Sequence, residues 1–335
     1  MYHKDTNIGI LGDGGWGTTL ALVLAGKGYS VSLWGAFPDY VEEIRRKREN
    51  VKFLPGFKIP ENVRPVSDLS DLCRECHTII LAVPSQYMRG VLQKLKKEKI
   101  GNKPLVSVTK GIEVKTLKVM SQVVKEELGK TRFCVVSGPT IAREVALKMP
   151  VAASVASSDR KLAAQVRELF ATDYFYLFES DDVLGVEIGG SVKNVVAIAS
   201  GIAEGLGLGS NMRAALFARG VAEMARLGVK MGARRETFMG LSGLGDLATT
   251  CLSPHSRNRW LGEEIGKGRK LEQILKETQM VVEGVETARS AVALAKKYKV
   301  SMSISQAVYD ILFRGQEPRK AITAVMQCAS HRELD

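Results

Sequence analysis

The chain has 335 residues, 45% hydrophobic and 25% charged, and its 48 Lys+Arg against 36 Asp+Glu give a formal net charge of +12. These fractions belong to a globular protein long enough for two domains with cores of their own, and they exclude a disordered chain. The basic residues are spread along the sequence, and their main clusters (Arg45 to Arg48, Lys94 to Lys103) lack interleaved aromatics, which favours solvated helix faces and an anionic small molecule over nucleic acid.

In chain order, Asn7 to Leu11 reads as a short strand running into glycines, Trp16 to Gly26 as an apolar helix and Tyr29 to Trp34 as a second strand. This is a β-turn-α-β unit. Its turn, Gly12-Asp13-Gly14-Gly15-Trp16-Gly17, is G-x-G-x-x-G after a strand and at the start of a helix. The first glycine permits the tight turn and the second lets the backbone approach a pyrophosphate. The third lets helix and strand pack closely, leaving phosphates at the helix N-terminus. The acid that should end the second strand, to bind ribose, is missing. Trp34-Gly35-Ala36-Phe37 stand there instead, with neither carboxylate nor arginine, and Asp39 reads as a cap of the next helix. A dinucleotide cofactor is therefore expected, with NAD and NADP both open.

Beyond it come a charged helix near Tyr40 to Glu49 and a loop punctuated by Leu54-Pro55-Gly56 and Ile59-Pro60. Cys73-Arg74-Glu75-Cys76-His77 matches the c-type haem pattern, but no export signal and no second Cys/His pair accompany it. It reads as a helix-to-strand junction, and no metal is expected. Buried strands follow at Thr78 to Val83, Leu105 to Thr109, Phe133 to Ser137 and Val151 to Ala156, with helices at Gln86 to Lys99 and Leu117 to Leu128. Such alternation predicts a parallel sheet with helices on both faces. The five cysteines, an odd number without framework spacing, read as reduced thiols.

After about Asp182 the pattern becomes helical throughout. Val183 to Lys230 is Ala/Gly/Met-rich, and amphipathic helices are predicted at Arg259 to Glu277, Thr287 to Tyr298, Ser305 to Phe313 and Pro318 to Gln327. The expected architecture is an α/β Rossmann-type dinucleotide-binding domain over 1–182 followed by an all-α helical substrate domain over 183–335. No apolar run approaches the ~20 residues of a spanning helix, and the N-terminal segment lacks a signal-peptide cleavage site, so a cytoplasmic protein without membrane insertion is expected.

Two lysines stand out. Lys110 follows the strand Leu105 to Thr109, at the carboxyl end where open α/β sheets bind ligands. Lys193 lies early in a long apolar helix, where a charge is costly unless it is used. Further on, Leu241-Ser242-Gly243-Leu244-Gly245-Asp246 delivers one carboxylate from a glycine-punctuated turn. Ser253-Pro254-His255-Ser256-Arg257-Asn258 is a helix start with an arginine in its first turn, and it offers free N–H groups, a helix dipole and a guanidinium fork to a phosphate.

From end to end the sequence resembles the NAD(P)-dependent glycerol-3-phosphate dehydrogenases of bacterial type. The segments that carry the likeness are GDGGWGTTLA, RENVKFLPGFKIP, AVPSQ, TKGIE, SGPTIAREV, GGSVKNVVAIASGIAEGLGLGSN, LSGLGDLATTCLSPHSRNRWLG and VVEGVETA. The resemblance implies interconversion of sn-glycerol 3-phosphate and dihydroxyacetone phosphate, in supply of phospholipid synthesis. It implies that Lys193 is the general acid/base, that Lys110 binds substrate beside it, and that Asp246 and Asn194, with Thr250 in the same shell, orient the lysine and the substrate hydroxyls. Gly138 and Thr140 would touch substrate, and Ser256, Arg257 and Asn258 would hold its phosphate. Cofactor contacts are implied for Gly15, Trp16, Lys110, Ala142, Arg257, Val281 and Glu283, beside the fingerprint glycines Gly12, Gly14 and Gly17. Lys110 is expected to lower the pKa of Lys193. Ala36-Phe37 depart from the arginines of members that favour NADP, and Cys76-His77 replace small or acidic residues. Dehydrogenases of the 6-phosphogluconate or 3-hydroxyacyl-CoA type share the first-half pattern but lack the SPHSRN and SGLGD pairing, and a cofactor-sensing regulator would not need both lysines and Asp246. A homodimer is the expected assembly.

Overall fold

The computed structural model describes residues 6–98 and 100–327; Lys99, the expected end of a helix, and the fifth cysteine, Cys328, lie outside the described residues. The chain folds as two compact units, Met1–Thr109 with Met120–Val183, and Lys110–Val119 with Leu184–Asp335.

The first unit runs β1 (Asn7–Leu11), α1 (Gly15–Gly26), β2 (Ser30–Trp34), α2 (Pro38–Lys47), β3 (Glu49–Asn50), β4 (Leu54–Lys58), β5 (Val63–Val66), α3 (Leu69–Glu75), β6 (Thr78–Leu81), α4 (Met88–Lys97), β7 (Leu105–Ser107), α5 (Met120–Leu128), β8 (Phe133–Ser137), α6 (Ala142–Ala146), β9 (Val151–Ala156), α7 (Arg160–Phe170) and β10 (Phe175–Ser180). An eight-stranded sheet has the order β10-β9-β8-β7-β6-β1-β2-β5, while β3 and β4 form a separate ribbon. Ile8, Ile10, Leu33, Ile80 and Val106 face α1, α2 and α7; Leu11, Ile79, Leu81 and Leu105 face α3, α4 and α5. Strands apolar on both sides are what helices on both faces of a sheet require.

The sheet departs from an all-parallel one. β8 pairs with β9 antiparallel, so β9 and β10 run against the other strands. The segment between β8 and β9 holds only the five-residue α6, too little for the helical crossover that usually returns a strand parallel. The expected Pro/Gly loop contains β4, with β3 just before it, where the helix was expected to end, and β5 just after it. β4 carries Pro55 and Gly56 on a largely exposed ribbon, and β5 (Val63-Arg64-Pro65-Val66) is an edge strand, where proline is tolerated. At the CRECH segment, α3 ends and β6 begins, and the Lys103 ammonium donates to the carbonyls of Cys73 and Cys76 at 2.7 and 2.6 Å. Burial pushes those two thiols up to about 12 and about 11.

The second unit is helical: α8 (Val183–Gly205), α9 (Gly209–Met231), α10 (Asp246–Leu252), α11 (Arg257–Gly266), α12 (Leu271–Glu277), α13 (Glu283–Tyr298), α14 (Ser303–Arg314) and α15 (Pro318–Gln327). The single helix expected over Arg259 to Glu277 is two, parted after Gly266, with Gly268 in the left-handed region at φ +93°. α8 also corrects the expectation about membrane spans, since by length and composition it could cross a bilayer. Yet 89% of its apolar window is buried inside the protein, as in a core helix.

Backbone contact sets how close α8 and α11 lie. A Cβ on Gly201 would fall 2.0 Å from the Arg259 carbonyl oxygen, and one on Gly262 would fall 2.1 Å from that of Ile198. Lys110–Val119 is pinned to the helices, with Ser290 Oγ of α13 donating to the Ile112 carbonyl at 3.0 Å. Glu223 of α9 is buried and caps α14, accepting from the N–H groups of Ile304 (2.6 Å) and Ser305 (3.3 Å) and from both flanking serine hydroxyls. Burial raises its pKa above the ordinary carboxylate value, and those hydrogen bonds pull it back. Glu223→Ala should lower unfolding stability by about 2 kcal/mol in urea titration, because buried N–H groups lose their acceptor.

Candidate active site

In the first unit the fingerprint glycines are required by their surroundings. Gly12 has φ +120°, its N–H donates to the Trp34 carbonyl at 2.9 Å, and a Cβ on it would lie 2.6 Å from the Ala82 oxygen. A Cβ on Gly17 would lie 1.9 Å from the Gly12 oxygen. A Cβ on Gly14, the N-cap of α1, would meet nothing within 4 Å, so the protein itself does not demand glycine there. Space beside the free N–H groups of α1 is what a pyrophosphate needs. The turn thus fits a dinucleotide. Trp16 packs edge-on against Phe175 at 6.5 Å, which fixes the first turn of the helix. Ala142 opens α6, and its carbonyl accepts from Thr19 Oγ1 of α1 at 3.1 Å. Gly138 (φ +156°) abuts Ala153, and Thr140 Oγ1 donates to the Gly138 carbonyl at 3.0 Å.

Sequence reasoning missed Asn50. Its buried amide donates to the Asp13 carbonyl and to Thr18 Oγ1, both at 2.7 Å, while its oxygen accepts from Tyr40 at 2.5 Å. It therefore holds the fingerprint loop from below. Among the sequence signals, only the block RENVKFLPGFKIP pointed toward it.

The second unit brings Lys110, Lys193, Asp246 and Thr250 together. Lys110 Nζ donates to Asp246 Oδ2 at 2.6 Å, and Lys193 Nζ lies 2.9 Å from Asp246 Oδ1. The side chains are 18%, 7% and 2% exposed for Lys110, Lys193 and Asp246, so the shared carboxylate is the most shielded of the three. Thr250 Oγ1 accepts from Lys193 at 2.5 Å and donates to the Asp246 carbonyl at 2.6 Å, which ties the lysine to the first turn of α10. Asp246 follows a π-helical turn, Leu241–Gly245. Such irregular turns often mark functional sites because they re-aim the next side chain. Burial, helped by the nearby Lys193 charge, pushes Lys110 down to about 8, while Asp246 opposes the shift.

Asn194, next to Lys193 on α8, accepts from Asn258 Nδ2 at 2.9 Å, and Asn258 Oδ1 accepts from the Gly284 N–H at 3.0 Å. The start of α11 is thereby joined to α8 and to the first turn of α13, which Glu283 opens. Ser256 caps α11 by accepting from the Arg259 N–H at 3.2 Å. Arg257 is half-buried and, among the described residues, has neither hydrogen bond nor ion pair; burial alone pulls its pKa down. A shielded guanidinium without a carboxylate, at a helix N-terminus, is suited to an incoming anion. Val281 is 47% exposed, outside these hydrogen-bonded sets. Among the described residues no cluster of His, Cys, Asp and Glu could hold a metal ion.

A Rossmann-type sheet with a glycine fingerprint, followed by a helical unit carrying paired lysines on one carboxylate, defines a nicotinamide-dinucleotide oxidoreductase. Family models agree: residues 7–163 match the N-terminus of NAD-dependent glycerol-3-phosphate dehydrogenase, and residues 182–323 match its C-terminus. Glycerol-3-phosphate dehydrogenase [NAD(P)+] of Citrifermentans bemidjiense is 49% identical over 95% of this chain and 96% of its own length. The protein of the same name from Syntrophotalea carbinolica is 46% identical over 98% and 100%. The crystal structure of glycerol-3-phosphate dehydrogenase from Coxiella burnetii superposes with a TM-score of 0.94 at 38% identity, covering 97% of this chain and 100% of that one. The chain belongs to the NAD-dependent glycerol-3-phosphate dehydrogenase family.

Gly17→Ala should abolish dinucleotide binding, measured by NADH fluorescence titration, and should lower Tm, since the methyl group overlaps the Gly12 oxygen and the loop must move.

Proposed function

We propose that the protein reduces dihydroxyacetone phosphate to sn-glycerol 3-phosphate, reversibly, with NAD(P)H. The observation that carries this reading is one buried carboxylate shared by two lysines, in the same unit as an arginine at a helix start that has no partner among the described residues. The first unit serves as the cofactor domain and the second as the substrate domain. When bound, the nicotinamide supplies the hydride. The protein must polarise a ketone, deliver a proton to the nascent alkoxide and hold a phosphate.

Lys193 Nζ gives its proton to the alkoxide oxygen, and Lys110 Nζ donates a hydrogen bond to the same oxygen. Asp246 keeps both amines in register, with Thr250 fixing Lys193. Asn194 faces the substrate hydroxyls, and Gly138 and Thr140 line the substrate from the first unit's sequence. Arg257, with Ser256 and Asn258, binds the phosphate. Gly12, Gly14, Gly15, Trp16 and Gly17 cradle the pyrophosphate, and Ala142, Val281 and Glu283 complete the cofactor contacts. The expected setting is a cytoplasmic homodimer that feeds phospholipid synthesis, without membrane insertion or nucleic acid.

The direct test is absorbance loss at 340 nm with dihydroxyacetone phosphate and either reduced cofactor; no oxidation dependent on that substrate would sink the reading. Lys193→Ala should lose about three orders of magnitude in kcat with cofactor affinity kept. Arg257→Ala should raise the substrate KM by about a hundredfold with less effect on kcat, because the phosphate is held alike in ground and transition states.

The Lys110 ammonium, at about 8, loses its proton as pH rises through that value. The protonated form is the one that donates to the ketone oxygen, so kcat/KM should be full below pH 8 and fall above it. Lys110→Arg retains its charge and should remove this alkaline limb, whatever it costs in absolute rate.

A further inference from the structure

Gly35 follows β2 directly, at the strand end where dinucleotide-binding folds set a carboxylate against the adenosine ribose, about twenty residues after the fingerprint. A side chain there would have to displace its neighbours, Val41 Cγ2 at 2.6 Å from a Cβ among them. A Cβ on Gly35 would lie 2.2 Å from Oδ2 and 2.7 Å from Cγ of Asp13. The carboxylate absent from the strand is therefore present at the strand end all the same, delivered from the fingerprint loop.

Its delivery is built into the first unit. The Gly12 N–H on the Trp34 carbonyl, at 2.9 Å, ties the loop to the last residue of β2. Asn50 grips the Asp13 carbonyl at 2.7 Å. The carboxyl itself is left wanting: Asp13 Oδ2 is buried without a hydrogen-bond partner. A buried acceptor in that state is costly and gains when a donor arrives. Burial raises the Asp13 pKa, opposed by its own backbone N–H and by the charge of Lys52, whose amine lies 4.2 Å from the centre of the Tyr40 ring.

We infer that Asp13 reads the ribose: its carboxylate accepts from the 2′-hydroxyl of an NAD-type adenosine and rejects a 2′-phosphate, so the protein selects NAD(H) over NADP(H). The inference rests on the dinucleotide part of the proposed function and not on the substrate. A ribose hydroxyl is a donor, and the half-buried Asp13 carboxyl at the strand end is an acceptor. A 2′-phosphate brings further acceptors and like charge to the same place. Ala36 and Phe37, next along the chain, offer no cation to offset that, and Lys52 already faces the Asp13 charge.

The experiment is calorimetric titration of the full-length protein with ADP-ribose and with 2′-phospho-ADP-ribose. The unsubstituted protein should bind ADP-ribose about tenfold or more tightly than its 2′-phosphate. Asp13→Asn keeps the shape, loses the charge and should cut that ratio at least about fivefold. Asp13→Ser, with its circular dichroism and Tm recorded beside the unsubstituted protein, serves if the asparagine variant does not fold. Equal affinities in the unsubstituted protein, or an unchanged ratio in both single variants, would overturn the inference. Failure to bind either ligand would overturn the dinucleotide reading with it. A clear ADP-ribose preference without oxidation by dihydroxyacetone phosphate would uphold the inference and remove only the substrate assignment.

Discussion

Two ammonium groups held within hydrogen-bond reach of a carboxylate almost wholly out of water set the terms for the second unit. Taking any of these ions out of water costs several kcal/mol after relaxation, and only close pairing and further hydrogen bonds offset that. Asp246 satisfies both lysines at once, one through each oxygen, and Thr250 adds a third link. The cluster still carries one positive charge more than it neutralises. It is therefore stable enough to pre-form and remains attractive to a developing oxyanion. Without Asp246, two like charges would face each other in a poorly solvated place, and neither would have a fixed direction.

The elements that meet at this cluster arrive from distant parts of the sequence, and small residues let them come close enough. Gly189 of α8 lies against the Ser242 carbonyl, 2.7 Å from where a Cβ would be, which brings the π-helical turn before Asp246 onto the helix that carries Lys193. Further along α8, the close approach of α11 at Gly201 and Gly262 places the α11 start beside Asn194. The same packing that fills the core of α8 thus sets the spacing of Lys193, Asn194 and Asn258. A methyl group at either crossing would be felt at the site as well as in the core.

Much of this was legible in the sequence because the responsible signals are local. Gly12-Asp13-Gly14-Gly15-Trp16-Gly17 needs only its flanking strand and helix to be read, and Ser256 with Arg257 reads as a capped helix start bearing a cation. The strands β3, β4, β5 and β10 escaped because they are short, carry proline or glycine, or lie at sheet edges with exposed side chains such as Tyr176 and Phe178. The reversal at β8 and β9 turns on a connection whose length alone is ambiguous. Lys110 was read locally as a candidate, but the unit it joins was not, and the place of Asp13 was missed altogether. Lys110 sits amid the alternating strands of the sequence yet packs with the helices, and Asp13 occupies a fingerprint position that usually carries no chemistry. Both depend on contacts made across many residues of chain, which periodicity cannot show.

The distribution of charge also explains how one substrate could be oriented. Lys110 and Lys193 are committed to Asp246, whereas Arg257 has no carboxylate among the described residues and is shielded from water. A phosphate monoester carries about −1.5 to −2 at neutral pH and has three strong acceptor oxygens. A guanidinium matches its geometry with paired donors. A neutral ketone gains little from a bare charge but much from directed donors, which the two lysines provide. On the proposed reading the shared carboxylate would aim the amines at the carbonyl, while the guanidinium of Arg257 would take the phosphate.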